Sequence, residues 1–303
     1  MVLVDGSAEA AQRYADLGGI FIQSGSTVDP SYADLQLLSI PPLVAVDQEG
    51  GRVQGMRQHL PPLVSAHDMA QTMTESEVRE LGAATGAQLR DLGITMDFAP
   101  VADLYPGSEG GVIGDRGFAT DPDDVTAYAE AFGSGLLDAG ITPTLKHFPG
   151  HGRASGNSHT MLPTTPVLAD LEGRDLRPYA SILPRAGWAV MVGHLDVPGL
   201  TEPGVPASID PAAYAYLRDT LGFDGLVVTD ELTGMKAVSE GRSTAESVVA
   251  ALAAGADLAL MANPGPIDDL VADIRSAVEA GDLSRSRLID AATHVLALKT
   301  CRP

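Results

Sequence analysis

Eight short apolar runs, each followed by an amphipathic or polar stretch, constrain this 303-residue chain more than anything else in it. They begin at Val2, Gly18, Leu43, Ile94, Thr142, Ala189, Gly225 and Leu258. Runs this short and this continuously apolar suit parallel strands covered on both faces, and the segments between them suit the crossover helices. "SAEAAQRYADLG" opens on a serine cap and closes on glycine, and "DPDDVTAYAEAFGSGLLDAG" opens on Asp-Pro with acidic residues in its first turn. Eight parallel strands predict an α/β fold of the closed (β/α)8 TIM-barrel type, and such barrels run to about 250 residues as one unit. The expectation is one domain over residues 1–303, with two closing helices after Gly265.

In a barrel of this kind reactive groups gather where strands end. Asp47 and Glu49, Asp97 and Asp103, Lys146 and His147, His194 and Asp196, Asp230 and Glu231, and Asn263 all fall at or just past such ends. Strand alternation predicts that only one of Asp230 and Glu231, and only one of Lys146 and His147, turns to the barrel axis. Taken singly, each motif has a plain structural reading. Asp230 could be a helix cap, "VDQEGGRV" a salt-bridged turn, "GDRGF" a surface Asp-Arg pair, and His194 a packed ring.

Charge narrows the partners. Forty acidic against nineteen basic residues give −21, which repels phosphate backbones and anionic headgroups, so neither nucleic acid nor a membrane surface is expected. Only three lysines occur, at 146, 236 and 299, so Lys146 in "KHFPGHGRASGNSHT" stands out. One cysteine, Cys301, allows no disulfide within the chain and no cysteine metal cluster. His147, His151 and His159 follow no zinc-helix spacing and lie among glycines, so no metal is expected. A Schiff-base lysine at 146 is a rival reading of the same stretch. No signal-peptide pattern and no apolar run of the roughly 18 to 20 residues that span a bilayer is present.

Together, "VDQEGGRV", "IGDRGF", "KHFPGHG" with a following "SH", and "VVTDEL" with a following methionine resemble the NagZ-type β-N-acetylglucosaminidase branch of glycoside hydrolase family 3. The resemblance covers nearly the whole chain. It implies a retaining exo-glycosidase that releases terminal β-linked N-acetylglucosamine from peptidoglycan- or chitin-derived saccharides, without a cofactor. It assigns Asp230 as the nucleophile and His159 as the acid and base, and gives the sugar's hydroxyls to Asp47, Arg116, Lys146 and His147. The chemistry is coherent: an anion beneath the anomeric carbon, and a group that gives and takes a proton, as histidine does with its unperturbed pKa of about 6.5. A glycine-rich loop could swing His159 in for protonation and out for release.

The chain departs from that pattern in three places. Asn157 stands where the family places an aspartate two residues before the histidine. An asparagine can accept a hydrogen bond from the ring but brings no charge; the same change behind a serine-protease histidine lowers kcat by about 10⁴. Gly55 stands where a sugar-binding arginine is expected, and Arg57 is the nearest candidate to replace it. The family's helix before the first strand has no counterpart ahead of "VLV", which suggests trimming. The chain as it stands reads as cytoplasmic and monomeric, and as exported or lipid-anchored if a preceding segment is missing. Asn157 and Gly55 together leave open a catalytically impaired or repurposed sugar-binding barrel. A histidine acid near Lys146 and Arg116 also leaves open a phosphorylase.

Overall fold

A computed structural model describes residues 2–4, 18–22, 25 and 32–300. The predicted helix before Gly18 lies outside them. The strands are β1 (Val2–Val4), β2 (Gly19–Ile22), β3 (Leu43–Val46), β4 (Gln48–Gly50), β5 (Val53–Gln54), β6 (Met96–Asp97), β7 (Thr142–Phe148), β8 (Ala189–Val192) and β9 (Val227–Thr229). Seven of them form one parallel sheet in the order β1-β2-β3-β6-β7-β8-β9, while β4 and β5 make a separate antiparallel hairpin. Neighbours in the sheet are successive in the chain, as right-handed crossovers produce. Every described residue of β3, β7, β8 and β9 is buried. That accounts for their continuous apolar character, because helices and loops cover one face and the curled sheet's own side chains fill the other.

The closed eight-stranded barrel is not formed. The eighth apolar run meets β9 through a single bridge, Val228 to Leu258. Beyond it the bonding is mixed: Leu232 N–H donates to the Leu260 carbonyl at 3.0 Å, but Leu260 N–H goes to Thr229 Oγ1 at 3.1 Å and Ala262 N–H to Glu231 Oε1 at 2.8 Å. A ladder needs those donors on carbonyls. The run therefore makes a bridge to β9 and not a ladder, and among the described residues no ladder joins it to β1. The result is an open, curled parallel sheet.

Helices pack against the sheet with the capping chemistry their sequences suggest. Helix Pro122–Asp138 starts on Asp121, whose side chain accepts from Asp123 N–H, with proline in the first turn. Helix Glu75–Asp91 starts on a complete capping box between Thr74 and Glu77. The two helices touch through glycines. A Cβ at Gly82 would collide with the Phe132 carbonyl oxygen, and one at Gly86 would stand 2.7 Å from Ala139 Cβ. The two predicted closing helices are Ile267–Ala280 and Arg285–Thr300. Asp257, fully buried, anchors the second through Arg287 and His294 and also receives Arg218 and the Val227 N–H. Among the described residues no helix is long and apolar enough to cross a membrane.

The helix contact gives a test of sign. Helix propensity alone predicts that Gly82→Ala stabilises by about 1 kcal/mol. Backbone contact with the facing helix predicts destabilisation by about 1–3 kcal/mol instead. Urea unfolding of the two proteins decides, and a raised midpoint for the variant would refute the packing account.

Candidate active site

At the C-terminal ends of the strands a cavity of about 270 Å³ is lined from several elements. Phe21 comes from β2, Asp47 and Glu49 follow β3, Lys146 and His147 come from β7, Asp230 follows β9, and His159 comes from the long loop after β7. Ligands of parallel α/β sheets sit in this place, where loops converge.

Its wall is an ion network. Lys146, 2 % exposed, places Nζ 2.6 Å from Asp47 Oδ1 and 2.5 Å from Glu49 Oε1. Arg116 grips the same Glu49 with two parallel bonds, Nε to Oε2 at 2.7 Å and Nη2 to Oε1 at 2.8 Å. Burial pushes the Glu49 carboxyl up, but Arg116 and Lys146 outweigh it and hold the group far below the usual carboxylate range. Burial disfavours the Lys146 ammonium too, yet Asp47 and Glu49 hold its pKa above the ordinary lysine value. A Schiff-base nucleophile needs the reverse, a lysine made easy to deprotonate. Asp47 remains about one-third exposed at the side chain.

The alternation expected at Lys146 and His147 fails, since both line the cavity. The β7–β8 register shifts between Leu145 and Phe148, and the Lys146–His147 peptide is cis. Behind His147 stands Asp103, fully buried and not singled out as a site residue by the sequence. Its Oδ2 accepts from His147 Nδ1 at 2.7 Å and from the His147 backbone N–H at 3.2 Å, and its Oδ1 accepts from His151 N–H at 2.5 Å. Burial raises the Asp103 carboxyl, but His147 and His151 lower it further, so it stays ionised. Arg116 Nη2 lies 3.4 Å from His147 Nε2 on the ring's other side. Asp97 differs: burial drives its carboxyl well above the usual range, although Oδ1 accepts from Gln48 N–H.

Asp230 and Glu231 also both line the cavity, against the expected alternation, and differ instead in what their carboxylates bind. Glu231 spends its carboxylate on the N–H groups of Thr233, Gly234 and Ala262, which shape the turn after β9. Asp230, 8 % exposed, has Oδ1 on the Glu231 N–H at 2.8 Å. Burial raises its carboxyl, but His147, His194, that N–H and Lys146 more than offset the rise, so the group stays below the ordinary range. His194 takes the plain structural reading: it lies outside the cavity, with Nδ1 on Ser208 Oγ and Nε2 on the Glu231 carbonyl.

The loop holding Asn157 and His159 is arranged differently from a side-chain dyad. Asn157 Oδ1 accepts from the backbone N–H of His159 at 3.0 Å, and the exposed His159 ring has no hydrogen-bond partner among the described residues. Asn157 itself lines a neighbouring cavity. Gly55 donates its N–H to the Asp47 carbonyl at 2.5 Å, and a Cβ there would stand 2.9 Å from that oxygen, so an arginine at 55 would press on the Asp47 backbone. Arg57 is exposed and outside the cavity lining, so it does not replace that arginine in this conformation.

Comparison with known proteins places this geometry. Residues 24–298 match the Glycosyl hydrolase family 3 N terminal domain. The chain is 43% identical over 320 residues to beta-hexosaminidase LpqI of Mycobacterium tuberculosis, covering 100% of this chain and 82% of the relative. A solved glycosyl hydrolase of the same family from Mycobacterium smegmatis superposes with a TM-score of 0.93 at 41% identity, covering 100% of this chain and 96% of the other. A family 3 beta-N-acetylglucosaminidase from Paenibacillus does so at 0.89 and 31%, covering 99% of this chain and 60% of that one. With the match running from the third decade of residues almost to the end, the chain belongs to glycosyl hydrolase family 3 and is a glycoside hydrolase.

Proposed function

We propose that the chain is a retaining exo-β-N-acetylglucosaminidase acting on peptidoglycan- or chitin-derived saccharides. Asp230 is its nucleophile and His159 its acid and base. The observation that carries this reading is that an ionised, buried Asp230 and a loop histidine line one cavity sized for a single sugar ring. The names of the relatives, beta-hexosaminidase and beta-N-acetylglucosaminidase, support the choice of sugar.

The steps follow from the groups present. Lys146, Asp47, Arg116 and His147 hold the ring hydroxyls. Their mutual ion pairs hold them in place before the substrate arrives, so little reorganisation is needed. An oxygen of Asp230 bonds to the anomeric carbon as the glycosidic C–O bond breaks, and the imidazolium of His159 passes its proton to the departing oxygen. In the second half His159 takes a proton from water, the water oxygen bonds to the anomeric carbon, and Asp230 leaves as a carboxylate. Two inversions give net retention.

Asn157 weakens the proton transfer in this scheme. Its oxygen is engaged by a backbone N–H, it carries no charge, and nothing else among the described residues orients the His159 ring. General acid–base catalysis contributes about 10²–10⁴ in rate, so an unheld acid has that much to lose.

Two outcomes test the reading. The chain hydrolyses an aryl β-N-acetylglucosaminide, and Asp230→Ala lowers kcat/KM by about 10⁴ or more, as loss of a covalent nucleophile does. Absence of turnover by both the unsubstituted chain and Asn157→Asp would refute it. Asn157→Asp restores a charge beside the imidazolium and raises kcat/KM by about 10² or more on substrates with poor leaving groups. An unchanged rate would show that His159 does not depend on this position.

A further inference from the structure

Asp103 is fully buried and does not line the cavity, yet its carboxylate reaches the cavity wall through one side chain. The backbone just before it is stitched to β7. Val101 pairs with Lys146 in a parallel bridge, and the Ala102 N–H donates to the Lys146 carbonyl at 2.7 Å. On the other flank a Cβ at Gly117 would stand 2.7 Å from the Asp103 carbonyl oxygen, so the segment is closely packed there too. The carboxylate is thereby delivered beside His147 by the same strand pairing that holds Lys146.

Two of its three bonds go to backbone N–H groups, of His147 and His151, and an acid that merely shapes a loop would make those as well. The third, to the His147 ring at Nδ1, is of a different kind. An ionised carboxylate only accepts, so Nδ1 carries a hydrogen. The ring's other nitrogen, Nε2, lies 3.4 Å from Arg116 Nη2, and a guanidinium only donates. Nε2 therefore presents its lone pair. Two neighbours of opposite hydrogen-bonding character select one tautomer, each from its own side of the ring.

The consequence lies in the cavity, which His147 and Arg116 both line. Side by side they offer an acceptor, Nε2, and a donor, Nη2. A sugar hydroxyl both gives and accepts a hydrogen bond, so one such group satisfies the two together. The reverse tautomer would set an Nε2–H against the guanidinium and leave the hydroxyl's own hydrogen without an acceptor there. Arg116 cannot turn away to compensate, because Nε and Nη2 hold Glu49 and Nη1 holds the Val112 carbonyl. The tautomer is the remaining variable, and Asp103 governs it.

We propose that Asp103 is a positioning residue for the hydrolase: it fixes the His147 ring in the Nδ1–H tautomer, so that Nε2 accepts the hydrogen of a sugar hydroxyl whose oxygen is met by Arg116. It rests on the reading in which His147 and Arg116 hold the sugar.

The test is a double-mutant cycle on aryl N-acetylglucosaminide hydrolysis by the full chain, with the tautomer read by nitrogen NMR of histidine-labelled protein. Asp103→Asn lowers kcat/KM by about 10², the size of loss that a misplaced contact gives. In the His147→Ala background the same substitution changes kcat/KM by no more than about twofold, because no ring is left to orient. The His147 signal, identified by its absence from His147→Ala, shows the hydrogen on Nδ1 in the unsubstituted chain and moves toward Nε2 in Asp103→Asn. An equal loss in both backgrounds would make Asp103 a shaper of the loop alone and overturn the proposal. So would a hydrogen on Nε2 with none on Nδ1 in the unsubstituted chain, a result that decides even where Asp103→Asn does not fold. Absence of turnover by the unsubstituted chain would overturn the hydrolase reading instead, and the tautomer measurement then decides whether Asp103 orients the ring.

Discussion

Glu49 holds two cations, and the rest of the site is arranged around that contact. Lys146 and Arg116 are both buried, and taking either out of water is favourable only with an anion against it. Glu49 answers both, and Asp47 takes part of Lys146. Removing one partner of such a buried set costs about 3–5 kcal/mol, because the others remain in low dielectric without compensation. The same set therefore ties the segment after β3, β7 and the Gly114–Arg116 turn together and fixes the groups to which the proposed mechanism gives the sugar.

A second line of bonds runs from Asp103 through His147 to Arg116, joining the histidine to the ion network. Asp230 sits within the influence of both lines, and its ionisation depends on them. Asp230, at a strand end, is thus well supported for the nucleophile's role proposed for it, while His159, on a glycine-rich loop with its ring unpartnered among the described residues, is not so held for the proposed role of acid. Under the proposed mechanism the contrast would place any catalytic weakness in the loop and leave the ion-network wall intact.

Much of this could be read from the chain. Short apolar runs marked the strands, and acidic or basic residues just past them marked the cavity. What could not be read involved contacts between distant segments. Asp103 was legible as an acid past a strand end, but not the histidine it serves 44 residues away. Period-2 alternation placed Lys146 and His147 on opposite sides because a register shift has no signature in "LKHF". The eighth run makes a bridge to β9 in place of a ladder for a similar reason: the Thr229 and Glu231 side chains take two of its donors, and strand propensity does not register side-chain competition for backbone N–H groups. Asn157 and His159 are neighbours in sequence, yet the contact they make is through the backbone.

Covalent capture of the nucleophile tests the central claim most directly. Incubation with a slowly hydrolysed 5-fluoro-N-acetylglucosaminyl fluoride, followed by proteolysis and mass spectrometry, locates the sugar-bearing peptide. The account predicts one sugar per chain, on Asp230. A label on Glu231, Asp47 or Lys146, or turnover of a natural disaccharide with an inverted anomer and no captured intermediate, would contradict it.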